Sequence, residues 1–215
     1  MVVPYVFGIV FETIWQSKTE QQEQGRHPYL MFHAATLADK DNKAVLFPAQ
    51  SGAGKSTLAA LLAAKGWSFF TDELSIVVPD TKQVFSCPLP VCVKDGAVKY
   101  LVDCYPLIEK LKQYCRLDKK NVRYLPIKNA ALSFDVGATL QAIVFPQYEQ
   151  SIACELVVID KTEALLRFLE CGSSGRRMKE HELASVLKML EALPCYYLKY
   201  SDINLAKLEL EAVLF

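Results

Sequence analysis

The sequence predicts an α/β fold built on a mixed sheet, and three observations carry that expectation. Apolar, β-rich runs come in pairs joined by short polar turns, which is the pattern of antiparallel hairpins. Helix-forming runs lie between them without strict alternation of strand and helix, so several antiparallel pairs are expected in the sheet. One strand, "KAVLFPA", leads directly into "QSGAGKS" and then "TLAALLAAK", a strand, glycine turn and helix in succession.

In chain order, the apolar start "MVVPYVFGIVFETIWQ" predicts a buried strand or hairpin. It lacks a basic leading region and a small-residue cleavage site, and Glu12 interrupts it, so a signal segment is not expected. A polar connection, 17–28, follows. "YLMFHAATLA" and "KAVLFPA" flank the turn "DKDN" and form a first hairpin. The run from Ser56 to Lys65 is rich in strong helix formers, and Gly66 supplies its stop. "WSFFT" is a short buried strand ending at Asp72, and "LSIVV" and "QVFSC" make a second hairpin around "PDTK". A helix is expected within 97–115 around "YPLIEKLKQYC". "LQAIVFP" and "CELVVI" are further strands. Asp160 with Glu163 predicts a capping box for a helix to Cys171, ended by Gly172. A longer helix over about 178–192 stops at Pro194, "CYYLKY" is a late strand, and "SD" at 201–202 caps a final helix. The expectation is one domain over 1–215, with strands and a connection in 1–28 and the core in 29–215.

Half the residues are apolar and 22% are charged, with a formal net charge of zero, an ordinary globular composition. A neutral chain lacks the broad positive field of a nucleic-acid binder. No run approaches the ~18 apolar residues of a membrane span. The seven cysteines are scattered and form no CxxC pair, so neither a zinc site nor a disulfide framework is signalled. Buried thiols in a reducing cytoplasm are the expectation.

Chemistry concentrates between Ala49 and Glu73. The phosphate-loop pattern GxxxxGK[ST] is met at Gly54, Lys55 and Ser56, with Ala49 in place of the first glycine. Gly52 and Gly54 permit the positive-φ turns that aim successive N–H groups inward at an anion. The helix that follows adds the partial positive charge of its N-terminus. Lys55 can reach β- and γ-phosphate oxygens, and the Ser56 hydroxyl suits Mg²⁺. Ser51, Gly52, Ala53, Gly54, Lys55, Ser56 and Thr57 are therefore the candidate nucleotide-binding set. They act on phosphate and read no base, so ATP and GTP are expected to compete with modest discrimination.

Asp72 and Glu73 follow Lys55 after one helix and one short strand, with 17 residues from Lys55 to Asp72. An isolated acidic pair reads as a cap or a solvated strand end. After such a loop and helix, it reads as carboxylates delivered beside the phosphates, with Ser56, Asp72 and Glu73 as candidate metal positions.

These residues resemble the HPr serine kinase/phosphorylase family. His33, "AVLFPAQSGAGKS", Gly66 and "TDE" stand in the family's order, with His33 preceding Lys55 by 22 residues. The chain looks still more similar to the smaller HPr-kinase-related proteins, which include peptide-modifying kinases. "PLPVCVKDG", "AIVFPQYE" and "LPCYYLKYSDINLA" carry that likeness over about 30–210. The resemblance implies the fold shared with phosphoenolpyruvate carboxykinase, a P-loop on a mixed sheet. It also implies Mg²⁺-dependent transfer from ATP to a Ser or Thr hydroxyl of a peptide or small protein. By the same match Asp72 is the general base or a Mg²⁺-linked carboxylate, Glu73 the second acid, and His33 and Lys55 further catalytic candidates. Glu73 stands where the family has a second Asp. The family's later glycine-rich signature carrying a glutamate has no counterpart, so phosphorylase activity is not expected.

A small-molecule kinase, and a nucleotide-binding regulatory protein without transfer activity, remain as alternatives, and a homo-oligomer is left open. Lys94 in "CVKDG" reads first as a solvated loop lysine and second as a phosphate ligand. "GSSGRR" at 172–177 reads first as an exposed loop and second as a clamp over the site. His27 and His181 show no partner pattern.

Overall fold

The structure is a computed structural model that describes residues 29–116, 119–131, 137–171 and 180–214. The strands expected before residue 29, His27 and the 172–177 loop lie outside the described residues, as does the His181 side chain.

Among the described residues the central sheet has nine strands. The first apolar run splits into β1 (Leu30–Phe32) and β2 (Ala34–Ala38), because the chain bends at His33. β2 forms the expected hairpin with β3 (Lys43–Pro48), turning through Asn42 at φ 58°. On its other side β2 pairs antiparallel with β4 (Ser68–Thr71). β5 (Ser75–Val78) and β6 (Gln83–Phe85) make the second hairpin, and β1 adds to β5.

The long strand β10 (Gly137–Tyr148) holds the sheet together. It pairs in parallel with β3, antiparallel with β6 near its start, and in parallel with β12 (Cys195–Tyr200) along its second half. β11 (Cys154–Val158) closes on β12 antiparallel. The sheet is thus mixed, as the paired hairpins predict.

Alternation along the strands places apolar side chains on both faces. Leu37, Val45, Phe47 and Val144 pack on one face against α1 (Lys55–Ala64), α2 (Asp95–Leu101) and α5 (Ile203–Leu214). Leu46, Ile143 and Phe145 pack on the other against α3 (Lys161–Glu170) and α4 (Glu180–Ala192). Asp160 caps α3 by accepting from the N–H groups of Thr162 and Glu163, at 2.8 and 2.9 Å. Glu163 turns its carboxylate to Arg167 instead of back to the cap.

The helix expected within 97–115 is corrected. The chain forms α2, then a single 3₁₀ turn at Ile108–Lys110, then β8 (Gln113–Cys115). Pro106 cannot continue a helix and biases Tyr105 away from helical geometry. β8 joins β7 (Val91–Lys94) and β9 (Asn121–Leu125) in a second, three-stranded sheet that the sequence reading did not identify. β7 seats Val91 and Val93 in the same core as α1, which brings the end of this small sheet beside the glycine loop.

Candidate phosphate site

The site is built where β3 ends. Ala53 N–H donates to the Gln50 carbonyl at 3.2 Å, turning the chain, and Gly52 and Gly54 sit at φ 103° and 93°. α1 starts at Lys55, so the loop N–H groups lie at a helix N-terminus, where the first donors have no partner within the helix.

The two glycines are required for different reasons. At Gly52 a Cβ would meet nothing within 4 Å, so only its backbone angle favours glycine. At Gly54 a Cβ would lie 2.9 Å from Tyr200 Oη and 3.0 Å from Tyr148 Cβ. Gly54→Ala therefore carries the left-handed penalty of about 1–2 kcal/mol and a steric cost besides, whereas Gly52→Ala carries the first alone. Thermal unfolding followed by circular dichroism should show the larger loss for Gly54→Ala. Equal losses would mean that the tyrosines do not brace the loop.

Lys55 and Asp72 are both buried, at 7% and 4% exposure, and are partnered to each other. Lys55 Nζ donates to Asp72 Oδ1 at 3.0 Å and to the Asp72 backbone oxygen. Ser56 Oγ donates to the same Oδ1 at 3.1 Å. The strand after α1 thus returns its carboxylate to the first two residues of that helix, as the short spacing predicts. A buried ammonium and carboxylate are each costly alone and tolerable as a pair.

Glu73 faces elsewhere. Its carboxylate is half exposed and lies 3.4 Å from His33 Nδ1. Burial pushes the Glu73 pKa up, but the hydrogen bond and charge of His33, with Lys55 and Arg116 behind them, outweigh it and hold the group below its ordinary value. His33 reaches this position because the bend between β1 and β2 lets its side chain leave the strand pattern.

Lys94, read first as a solvated loop lysine, instead ends β7 with Nζ 3.1 Å from Ser51 Oγ. It brings a second ammonium to the loop. Gln50 extends to Glu170 at 3.4 Å, and Thr57 occupies the first turn of α1.

Sequence reasoning missed the aromatic wall behind the loop. Tyr148 N–H donates to the Ala53 carbonyl at 2.9 Å, and Tyr200 Oη donates to the Gly54 carbonyl at 3.1 Å. Tyr100, Tyr148 and Tyr200 come from three separate elements, so no local spacing links them. The available signal was only that "CYYLKY" and "AIVFPQY" each end a strand in tyrosine.

The residues fit a magnesium nucleotide. Among the described residues no group of three His, Cys, Asp or Glu side chains could hold a metal. Mg²⁺ needs no such group, since it is commonly bound by one or two protein oxygens together with phosphates and water. Ser56 and Asp72 carry oxygens of that kind, and Lys55 and the N–H groups of the glycine turns are donors of the kind phosphate accepts from.

Among the described residues no helix is long and apolar enough to cross a membrane. No family model matches the sequence, and no curated protein matches it. Solved structures do match. The HPr(Ser) kinase/phosphatase from Coxiella burnetii is similar at 11% identity over 86% of this chain and 93% of that chain, with a TM-score of 0.36. At that level neither residues nor chemistry can be carried across.

Proposed function

We propose that this chain is an ATP-dependent, Mg²⁺-dependent kinase that transfers the γ-phosphoryl group to a Ser or Thr hydroxyl of a peptide or small protein. The observation that carries the reading is the convergence of Lys55, Ser56 and Asp72, with Asp72 Oδ1 accepting from both neighbours. On this reading residues 51–57 are a phosphate loop on a mixed sheet, of the type shared by phosphoenolpyruvate carboxykinase and HPr kinase. The peptide acceptor rests on the sequence resemblance centred on 33–80.

Phosphoryl transfer has a loose transition state, so the protein acts mainly by positioning groups and neutralising charge. Gly52 and Gly54 shape the turn that presents N–H donors, and Lys55 and Lys94 add two positive charges. Bound Mg²⁺ would supply further charge neutralisation at the phosphates, with Ser56 and Asp72 as its protein oxygens. On this reading Asp72 also takes the acceptor hydroxyl proton as the acceptor oxygen bonds to phosphorus and ADP leaves. Glu73 and His33 form a half-exposed pair at the rim, suited to orienting the acceptor.

The test is transfer of radiolabel from [γ-³²P]ATP with Mg²⁺ to a degenerate library of Ser-, Thr- and Tyr-containing peptides. Label on Ser or Thr, absent without Mg²⁺, is expected. Label only on small metabolites would retain the kinase and overturn the peptide acceptor. Nucleotide binding with no transfer to either class would favour a regulatory protein.

A further inference from the structure

Residues 51–57 address the phosphates of a nucleotide and leave its base without a partner. Sheet topology indicates where the base would go. In open sheets ligands lie outside the carboxyl ends of the parallel strands. The carboxylate arrives on one side of β3, through β2 and β4. On the other side lies β10, parallel to β3, and then β12, parallel to β10. The last residues of these two strands are paired with each other, and they are Tyr148 and Tyr200.

Both tyrosines touch the loop, through Ala53 and Gly54. Their rings meet edge to face, with centroids 5.9 Å apart and planes at 83°. Tyr100, from the last turn of α2, continues the series with its centroid 5.5 Å from Tyr148. The Tyr148 hydroxyl reaches the Tyr100 hydroxyl at 3.3 Å. Lys99 Nζ lies 4.8 Å from the Tyr100 ring centroid. The series is graded. Tyr200 is 2% exposed, Tyr148 is partly exposed, and Tyr100 is 42% exposed. Tyr200 therefore braces the loop, while the outer two rings offer aromatic surface beside it.

We propose that Tyr100 and Tyr148 form the stacking platform for the base of the nucleotide whose phosphates residues 51–57 hold. The inference rests on the phosphate-loop reading and adds the base subsite to it. Every base has a π-face, so stacking contributes affinity without selecting one base. Adenine and guanine nucleotides should both use the platform, which agrees with the modest discrimination expected from the sequence.

Calorimetric titration of the full chain with Mg-ATP, Mg-GTP and Mg-tripolyphosphate separates the two halves of the site. Tyr100 is exposed and can be changed without opening a core. Tyr100→Ala should weaken ATP and GTP by about tenfold or more, the scale of one lost stacking partner. Tyr100→Phe should restore both, and tripolyphosphate, which has no base, should bind the wild type and Tyr100→Ala equally. Unchanged ATP affinity in Tyr100→Ala, or equal weakening of ATP and tripolyphosphate, would overturn the platform. Lys55→Ala, titrated at a temperature where circular dichroism shows it folded, serves as the reference. If it weakens tripolyphosphate while Tyr100→Ala leaves ATP unchanged, the phosphate site stands and the platform alone fails. If Lys55→Ala changes neither ligand, the phosphate-loop reading itself is lost.

Discussion

Asp72→Asn is expected to lower phosphoryl transfer by about 10²-fold or more, the scale of a lost acid–base group, while the nucleotide still binds. The separation follows from the geometry. Asp72 Oδ1 accepts from Lys55 Nζ and Ser56 Oγ, and an asparagine carbonyl oxygen can accept from both. The two hydrogen bonds can therefore persist, but a proton acceptor and the negative charge that offsets buried Lys55 are lost, so Asp72→Asn should also unfold at a lower temperature. Glu73→Gln should cost less, because Glu73 is half exposed and engaged with His33 at the rim. Single-turnover transfer under saturating Mg-ATP measures the chemical step, and calorimetry measures binding. Transfer that survives in Asp72→Asn but collapses in Glu73→Gln would exchange the roles of the two acids.

Lys55→Ala should reduce Mg-nucleotide affinity by about 10–10²-fold, the worth of a charge-assisted hydrogen bond. It carries a second consequence that the sequence did not announce. Lys55 is the buried partner of a buried carboxylate. Removing one member of such a pair costs about 3–5 kcal/mol, because the other charge is left without compensation. The single variant should therefore unfold at a clearly lower temperature as well as bind weakly. Lys55→Ala combined with Asp72→Asn removes both charges and should recover much of the thermal stability without recovering the binding. If the double variant regains wild-type affinity, Lys55 acts through folding alone and is no phosphate ligand.

Strong local patterns carried most of the architecture. The hairpins around Asn42 and Lys82, the helix after Gly54 and the Asp160 cap each announce themselves within a few residues, and each is present. The error at 97–115 has a local origin too. "LIEKLKQY" has helical composition, but Pro106 separates it from α2 and its last residues pair as β8 with β9. Strands of three to five residues have too little periodicity to read. β7 and β9 were missed for that reason.

At the site, Lys55, Ser56 and Asp72 were legible because their spacing equals one helix and one strand. Lys94 was not, because its approach to Ser51 depends on how β7 packs on α1. Nor were the tyrosines, whose meeting depends on the order of β3, β10 and β12 in the sheet. Local chemistry appears in sequence, and chemistry assembled by strand order does not.

The hydroxyl that braces Gly54 belongs to Tyr200, 146 residues further along the chain. During translation the glycine loop is synthesised roughly 7–30 s before that residue is made, at ordinary elongation rates. In that interval β3 also lacks β10, its parallel neighbour, and long-range pairings of this kind form slowly. The loop therefore waits as an unbraced segment between a strand and a helix. Only when β12 docks does the Gly54 carbonyl gain its tyrosine and the turn its final rigidity. A half-made chain can hold the whole glycine motif and still lack the surroundings that fix its shape.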